Sequence, residues 1–91
     1  MQVRIFATLR PLVGAGEVEV EARAGDTVRN VLEGLKDTYP ALHERILDED
    51  GNIQRSIHVL VNGRSVKFLQ GLDTAIGDGD RLALFPAVGG G

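Results

Sequence analysis

One stretch of this 91-residue chain repeats its apolar side chains at helical spacing: Val28, Val31, Leu32, Leu35 and Tyr39. Steps of three and four put them on one stripe of a helix, and such a stripe must be covered. Most of the remaining apolar residues alternate with polar ones, the mark of strands with one buried and one open face. Val3, Ile5 and Ala7 alternate with Gln2, Arg4, Phe6 and Thr8. Residues 17–22 alternate in the same way, valines inward and glutamates outward. Ile57, Val59 and Val61 repeat the pattern, and residues 81–85 show it once more. A chain patterned like this has to lay one helix across one face of a sheet.

The punctuation between these segments fixes their order. Pro11 and Gly14-Ala15-Gly16 break the first two strands apart, so they form a hairpin with a long loop. Ala24-Gly25-Asp26-Thr27 is a turn, and Asp26 or Thr27 caps the helix that follows. Pro40 ends that helix, because its ring disfavours a helical residue before it. Residues 41–47 fit one more short turn, with Leu42 and Ile46 on one face. Asn62-Gly63 predicts a type I′ hairpin turn, with residues 64–68 as the returning strand. Residues 69–76 are irregular, and Gly77-Asp78-Gly79-Asp80 turns the chain into the last strand. The order β-β-α-β-β-β predicts an α+β fold of the β-grasp, or ubiquitin-like, type. Its mixed five-stranded sheet carries one main helix across one face. Residues 1–85 are expected to form this domain, and residues 86–91 a tail ending in Gly-Gly.

Composition removes whole classes of function. Hydrophobic residues make up 43% and charged residues 25%, as in an ordinary globular domain. The net charge of −3 argues against a nucleic-acid binder. The apolar runs are too short to span a bilayer, and no basic-then-apolar segment opens the chain. A soluble, cytoplasmic protein, monomeric when free, is the expectation. With no cysteine there is no disulfide, thiolate metal site or thiol nucleophile. His43 and His58 are too few for a typical zinc site. Glu17, Glu19 and Glu21 have the spacing of a solvated sheet face. No metal and no bound cofactor are therefore expected.

Three glycines, Gly89, Gly90 and Gly91, follow the last strand. Each has large backbone freedom to lose and no side chain to bury. Such an ending suits a terminus that threads a narrow slot or whose carboxylate is the reactive group; a frayed tail is the plain alternative. Parity adds a surface. If Val3, Ile5, Leu82 and Leu84 face the helix, Phe6 and Phe85 face away. First and last strands are neighbours in a β-grasp sheet, so the two rings should meet beside the tail, with Leu60 and His58 adjacent. An exposed apolar patch on a small domain marks a binding site. His58 is read as a docking residue, because nothing nearby in sequence orients it as a base. Arg10, Arg64, Lys67 and Arg81 are candidates to pair with acids on a partner.

Four segments carry a resemblance to a known family. They are Ile5-Phe6-Ala7-Thr8-Leu9-Arg10 with Leu12-Val13-Gly14, Val61-Asn62-Gly63, residues 74–80, and Leu84-Phe85-Pro86-Ala87-Val88-Gly89-Gly90-Gly91. Together they resemble the MoaD/ThiS family of ubiquitin-like sulfur carriers, closest to its CysO and MoaD branches. One departure is Gly89, where such carriers commonly have alanine or threonine. The resemblance implies a protein substrate rather than an enzyme, although such a chain also serves as the small subunit of molybdopterin synthase. It implies adenylation of the Gly91 carboxylate by an E1-like partner of the MoeB/ThiF type, with ATP and Mg used by that partner. Conversion to a thiocarboxylate would follow, and then sulfur delivery to a cysteine synthase or to the large subunit of molybdopterin synthase. Val88, Gly89 and Gly90 would thread the partner's slot, with Pro86 where the chain leaves the sheet. Phe6, Phe85, Leu60, His58 and Arg10 would form the docking face. Two readings stay open beside it: a modifier joined to lysines through Gly91, and an interaction domain with an inert tail.

Overall fold

The computed structural model describes residues 1–77 and 79–87. Five strands form one sheet: β1 (Gln2–Ile5), β2 (Glu17–Glu19), β3 (Ile57–Val61), β4 (Arg64–Ser65) and β5 (Leu82–Pro86). Their spatial order is β2-β1-β5-β3-β4. The central pair, β1 and β5, is parallel, and the other pairs are antiparallel. Helical segments α1 (Val28–Glu33), α2 (Leu35–Thr38) and α3 (Pro40–Ile46) cover one face. This is the β-grasp architecture.

Burial follows the period-two parity. Val3, Ile5, Leu82 and Leu84 are fully buried beneath the helical stripe of Val28, Val31, Leu32 and Leu35. Burying each such side chain contributes roughly 1.5–3 kcal/mol. Thr27 is the N-cap: it is extended, and its backbone N–H donates to Asn30 Oδ1 at 2.8 Å. Asp26 instead holds the preceding turn, accepting from the Arg23 amide at 2.8 Å. Gly34 separates α1 from α2. A Cβ there would stand 3.2 Å from the Val31 carbonyl and 3.3 Å from Val20 Cγ1. Glycine lets this turn sit close against the chain leaving β2.

Several elements differ from the sequence expectation. β1 stops at Ile5, and Ala7–Leu12 is a 3-10 helix entered through Ala7 at φ +52°. The turn carries Leu9 into the core, where Ala7 was expected. The Arg10 Nε donates to the Ile5 carbonyl at 2.9 Å and holds the turn closed. β2 is three residues long, although Val20 beyond it stays buried. Pro40 does not simply stop a helix. It occupies the first turn of α3, where a missing N–H is harmless, and α3 is longer than the single turn expected. The strand expected over residues 64–68 ends at Ser65, and Val66–Phe68 is a 3-10 helix. The Ser65 hydroxyl caps it by accepting from the Lys67 amide at 3.2 Å, which turns Val66 into the core.

The Asn62-Gly63 turn stands as read, with φ of +52° and +84°. The Asn62 side chain also donates to Asp80 Oδ1 at 2.9 Å and accepts from the Arg81 amide at 3.0 Å. It ties the hairpin to the turn that launches β5. Asp78 lies outside the described residues.

Candidate functional site

The open face of the sheet is built in rows by strand register. One row runs Glu17, Arg4, Ala83, Leu60, Ser65 across all five strands. In the next row His58 lies opposite Phe85. Phe6 follows β1 as an extended residue, its amide donating to the Leu84 carbonyl at 3.2 Å. That bond continues the parallel ladder one step and brings Phe6 beside Phe85. The rings stack with centroids 4.3 Å apart and planes within 13°. Stacked pairs of this kind contribute roughly 0.5–1.5 kcal/mol beyond their buried area.

Two guanidinium groups stand over the Phe6 ring, Arg4 at 5.5 Å and Arg10 at 5.8 Å from its centroid. Exposed contacts of this type are worth about 0.5–1 kcal/mol each. Between the aromatic pair and the β3–β4 turn lies an open groove of about 500 Å³. Phe6, Phe85, Leu60 and Ala83 give it an apolar floor, and Arg4 and Arg81 line it.

The predicted docking residues are thus brought together. Phe6, Phe85 and Leu60 share the groove, His58 flanks Phe85, and Arg10 covers Phe6. Among the described residues, nothing hydrogen-bonds His58 in a way that would orient it as a base. Of the other cations, Arg81 lines the groove, whereas Arg64 pairs across from buried Val61 and belongs to the opposite face. Arg4 was missed, although its parity with Gln2 and Phe6 was enough to place it on this face. No group of three or more His, Cys, Asp or Glu side chains is placed to hold a metal among the described residues. Glu17 approaches Arg4 at 3.9 Å, and Glu19 takes the N-terminal ammonium at 3.0 Å.

β5 carries Phe85 directly toward the C-terminal segment. Pro86 is the last residue of β5, one step past the expected end, and lies opposite Ile57. The Ala87 amide still donates to the Ser56 carbonyl on the β3 side. Successive amides of a strand point to opposite sides, so Pro86 has its missing N–H toward the side where β1 has already ended. Proline is tolerated in a strand at such a place. Val88, Gly89, Gly90 and Gly91 lie outside the described residues.

The chain has close relatives. It is 40% identical to small archaeal modifier protein 3 of Haloferax volcanii, over all of this chain and 98% of that protein. It is 41% identical to the sulfur carrier protein CysO of Mycobacterium tuberculosis, over 98% of this chain and 96% of that one. Its fold superposes on a chain of the Amycolatopsis orientalis BexX/CysO complex with a TM-score of 0.83. That match has 33% identity and covers 99% of this chain and 98% of the other. The ThiS family model matches residues 3–91. The protein therefore belongs to the ThiS family, the MoaD/ThiS group of ubiquitin-like carriers.

Proposed function

We propose that this protein is a sulfur carrier whose Gly91 carboxylate is the reacting group. The observation that carries the reading is a family match that runs through residue 91, across Gly89-Gly90-Gly91. A terminal carboxyl has a reference pKa of roughly 3.3–3.7, so it is ionised and unreactive toward nucleophiles at neutral pH. Activation supplies a leaving group. A carboxylate oxygen attacks the α-phosphorus of ATP on an E1-like partner, and pyrophosphate departs. A sulfide equivalent then attacks the acyl carbon, AMP leaves, and the chain ends as a thiocarboxylate. Gly91 has no Cβ to obstruct that attack. Gly90, Gly89 and Val88 thread the partner's slot, and the sulfur moves to an acceptor enzyme of cysteine or molybdopterin synthesis. The carrier is a substrate of these enzymes and binds no cofactor of its own.

Ordering the threaded residues costs roughly 1–2 kcal/mol each. Docking of the folded part has to offset that, and the Phe6–Phe85 face beside the end of β5 suits the task. The double variant Phe6→Asp/Phe85→Asp is expected to keep its far-UV circular dichroism and to lose ATP–pyrophosphate exchange with the E1-like enzyme. Normal exchange by the folded double variant would contradict this role for the face.

A second reading has support from the modifier relative. The same adenylate could be attacked by a lysine amine, giving an isopeptide through Gly91. Recovery of the chain covalently attached to other proteins would favour that reading, and a terminal thiocarboxylate favours the first.

A further inference from the structure

The type I′ turn between β3 and β4 selects Asn-Gly for its conformation, and the same pair is the one most open to spontaneous loss of the side-chain amide. Asn62-Gly63 is the single Asn-Gly pair in the chain. Asn30 and Asn52 are followed by Val31 and Ile53, whose β-branched side chains shield the amide nitrogen that has to attack. Asn62 and Gly63 are both exposed. A Cβ added at Gly63 would meet nothing within 4 Å, and among the described residues no hydrogen bond engages the Gly63 amide. The nucleophile is unshielded, but the side chain it would attack is held. Asn62 Nδ2 donates to Asp80 Oδ1 at 2.9 Å, and Asn62 Oδ1 accepts from the Arg81 amide at 3.0 Å. The Asn62 backbone amide also donates to the Arg81 carbonyl at 2.9 Å. Backbone and side chain are thus both tied to the residues that precede β5.

We propose that Asn62 is a latent deamidation site whose rate is set by this clamp. The proposal is independent of the carrier reading, and its one co-reactant is water. The Gly63 amide nitrogen loses its proton to solvent base and bonds to Asn62 Cγ. The Cγ–Nδ2 bond breaks and ammonia leaves, closing a five-membered imide. Water then adds to one of the two imide carbonyls. Opening on one side leaves aspartate; opening on the other leaves isoaspartate, with the main chain routed through the side-chain carbons. Ring closure makes Cγ tetrahedral and expels Nδ2, so the two hydrogen bonds that hold a planar amide in place have to be given up first. Either product sets a carboxylate against Asp80 Oδ1, where the amide had donated, and attraction becomes repulsion. Isoaspartate also lengthens the main chain of a two-residue turn whose flanking residues, Val61 and Arg64, pair directly. The modified hairpin therefore loses its tie to the turn that launches β5.

The test follows the full chain in warm buffer at pH 8, native and unfolded in guanidinium chloride. Mass spectrometry of the tryptic peptide 56–64, in which Asn62 is the sole asparagine, gives the rate. The unfolded chain is expected to convert Asn62 to mixed aspartate and isoaspartate, ahead of Asn30 and Asn52. The native chain should react about tenfold more slowly or slower still, as the loss of two net hydrogen bonds requires. Native Asp80→Ala should regain about tenfold in rate. Asp80→Asn keeps an acceptor oxygen without the charge, so its rate should rise about threefold, and it covers the case in which the alanine variant does not fold. The converted fraction should unfold at lower urea than the unconverted one. Equal rates in the native and unfolded chain would overturn the clamp, as would a folded Asp80 variant that reacts at the wild-type rate. An Asn62 that stays intact in the unfolded chain would overturn the site itself.

Discussion

Asn62 and Asp80 show how much one residue contributes beyond its backbone conformation. Asn62 adopts the left-handed geometry that the hairpin needs, and its amide also bridges to Asp80 and to the Arg81 backbone. The hydrogen bond from Asn62, followed by the one from the Gly77 amide, holds the Asp80 carboxyl below its ordinary value of 3.8. A carboxyl depressed in the folded state stabilises the fold above its unfolded pKa, and that contribution is lost as pH falls through the folded value. Wild type should therefore lose a small increment of stability as pH drops below 3.8, and Asp80→Asn should lack that component. Urea midpoints at pH 5 and pH 3 check it; equal acid shifts in both proteins would contradict the linkage. The Asn62-Gly63 turn was legible in sequence because the type I′ conformation selects those residues. The side-chain link to Asp80 was not, because it joins positions 18 apart through the tertiary fold.

At the scale of elements, periodicity identified what packing confirms and missed what local backbone chemistry decides. The helical stripe and the inward residues of β1, β3 and β5 were all readable, since burial on one face imposes the period directly. The 3-10 helices over Ala7–Leu12 and Val66–Phe68 were not. Ala7 continues the alternation of Val3 and Ile5, but the backbone turns at that residue, and Leu9 enters the core in its place. The same happens after Ser65, where a hydroxyl cap ends β4 two residues into the expected strand. Thr74 likewise entered only through family resemblance. It is buried, its hydroxyl donates to the Gly71 carbonyl at 2.7 Å, and its carbonyl accepts from the first amide of α1. The Ala7–Leu12 turn makes a quantitative prediction. Leu9→Ala should destabilise the fold by about 3 kcal/mol, the range for a fully buried leucine. A denaturation loss below about 0.5 kcal/mol, the surface value, would return Leu9 to the exterior.

Across the whole molecule, the two sides of the sheet divide the work. The helical side holds the core, and the open side gathers Phe6, Phe85, Leu60 and three arginines beside the strand that leads to the glycines. The face was legible in sequence because parity and the adjacency of first and last strands determine it. The groove's shape and the part played by Arg4 needed the strand register. The central claim is that the end of the chain is the working group and the fold delivers it. Its most direct measurement is the intact mass of the protein isolated from its source organism under sulfur demand. A fraction of the chain should be heavier by the difference between one sulfur and one oxygen, with the change at Gly91 and absent from a variant lacking Gly90 and Gly91. An unshifted mass in the full chain, or the same shift in the shortened one, would contradict the account.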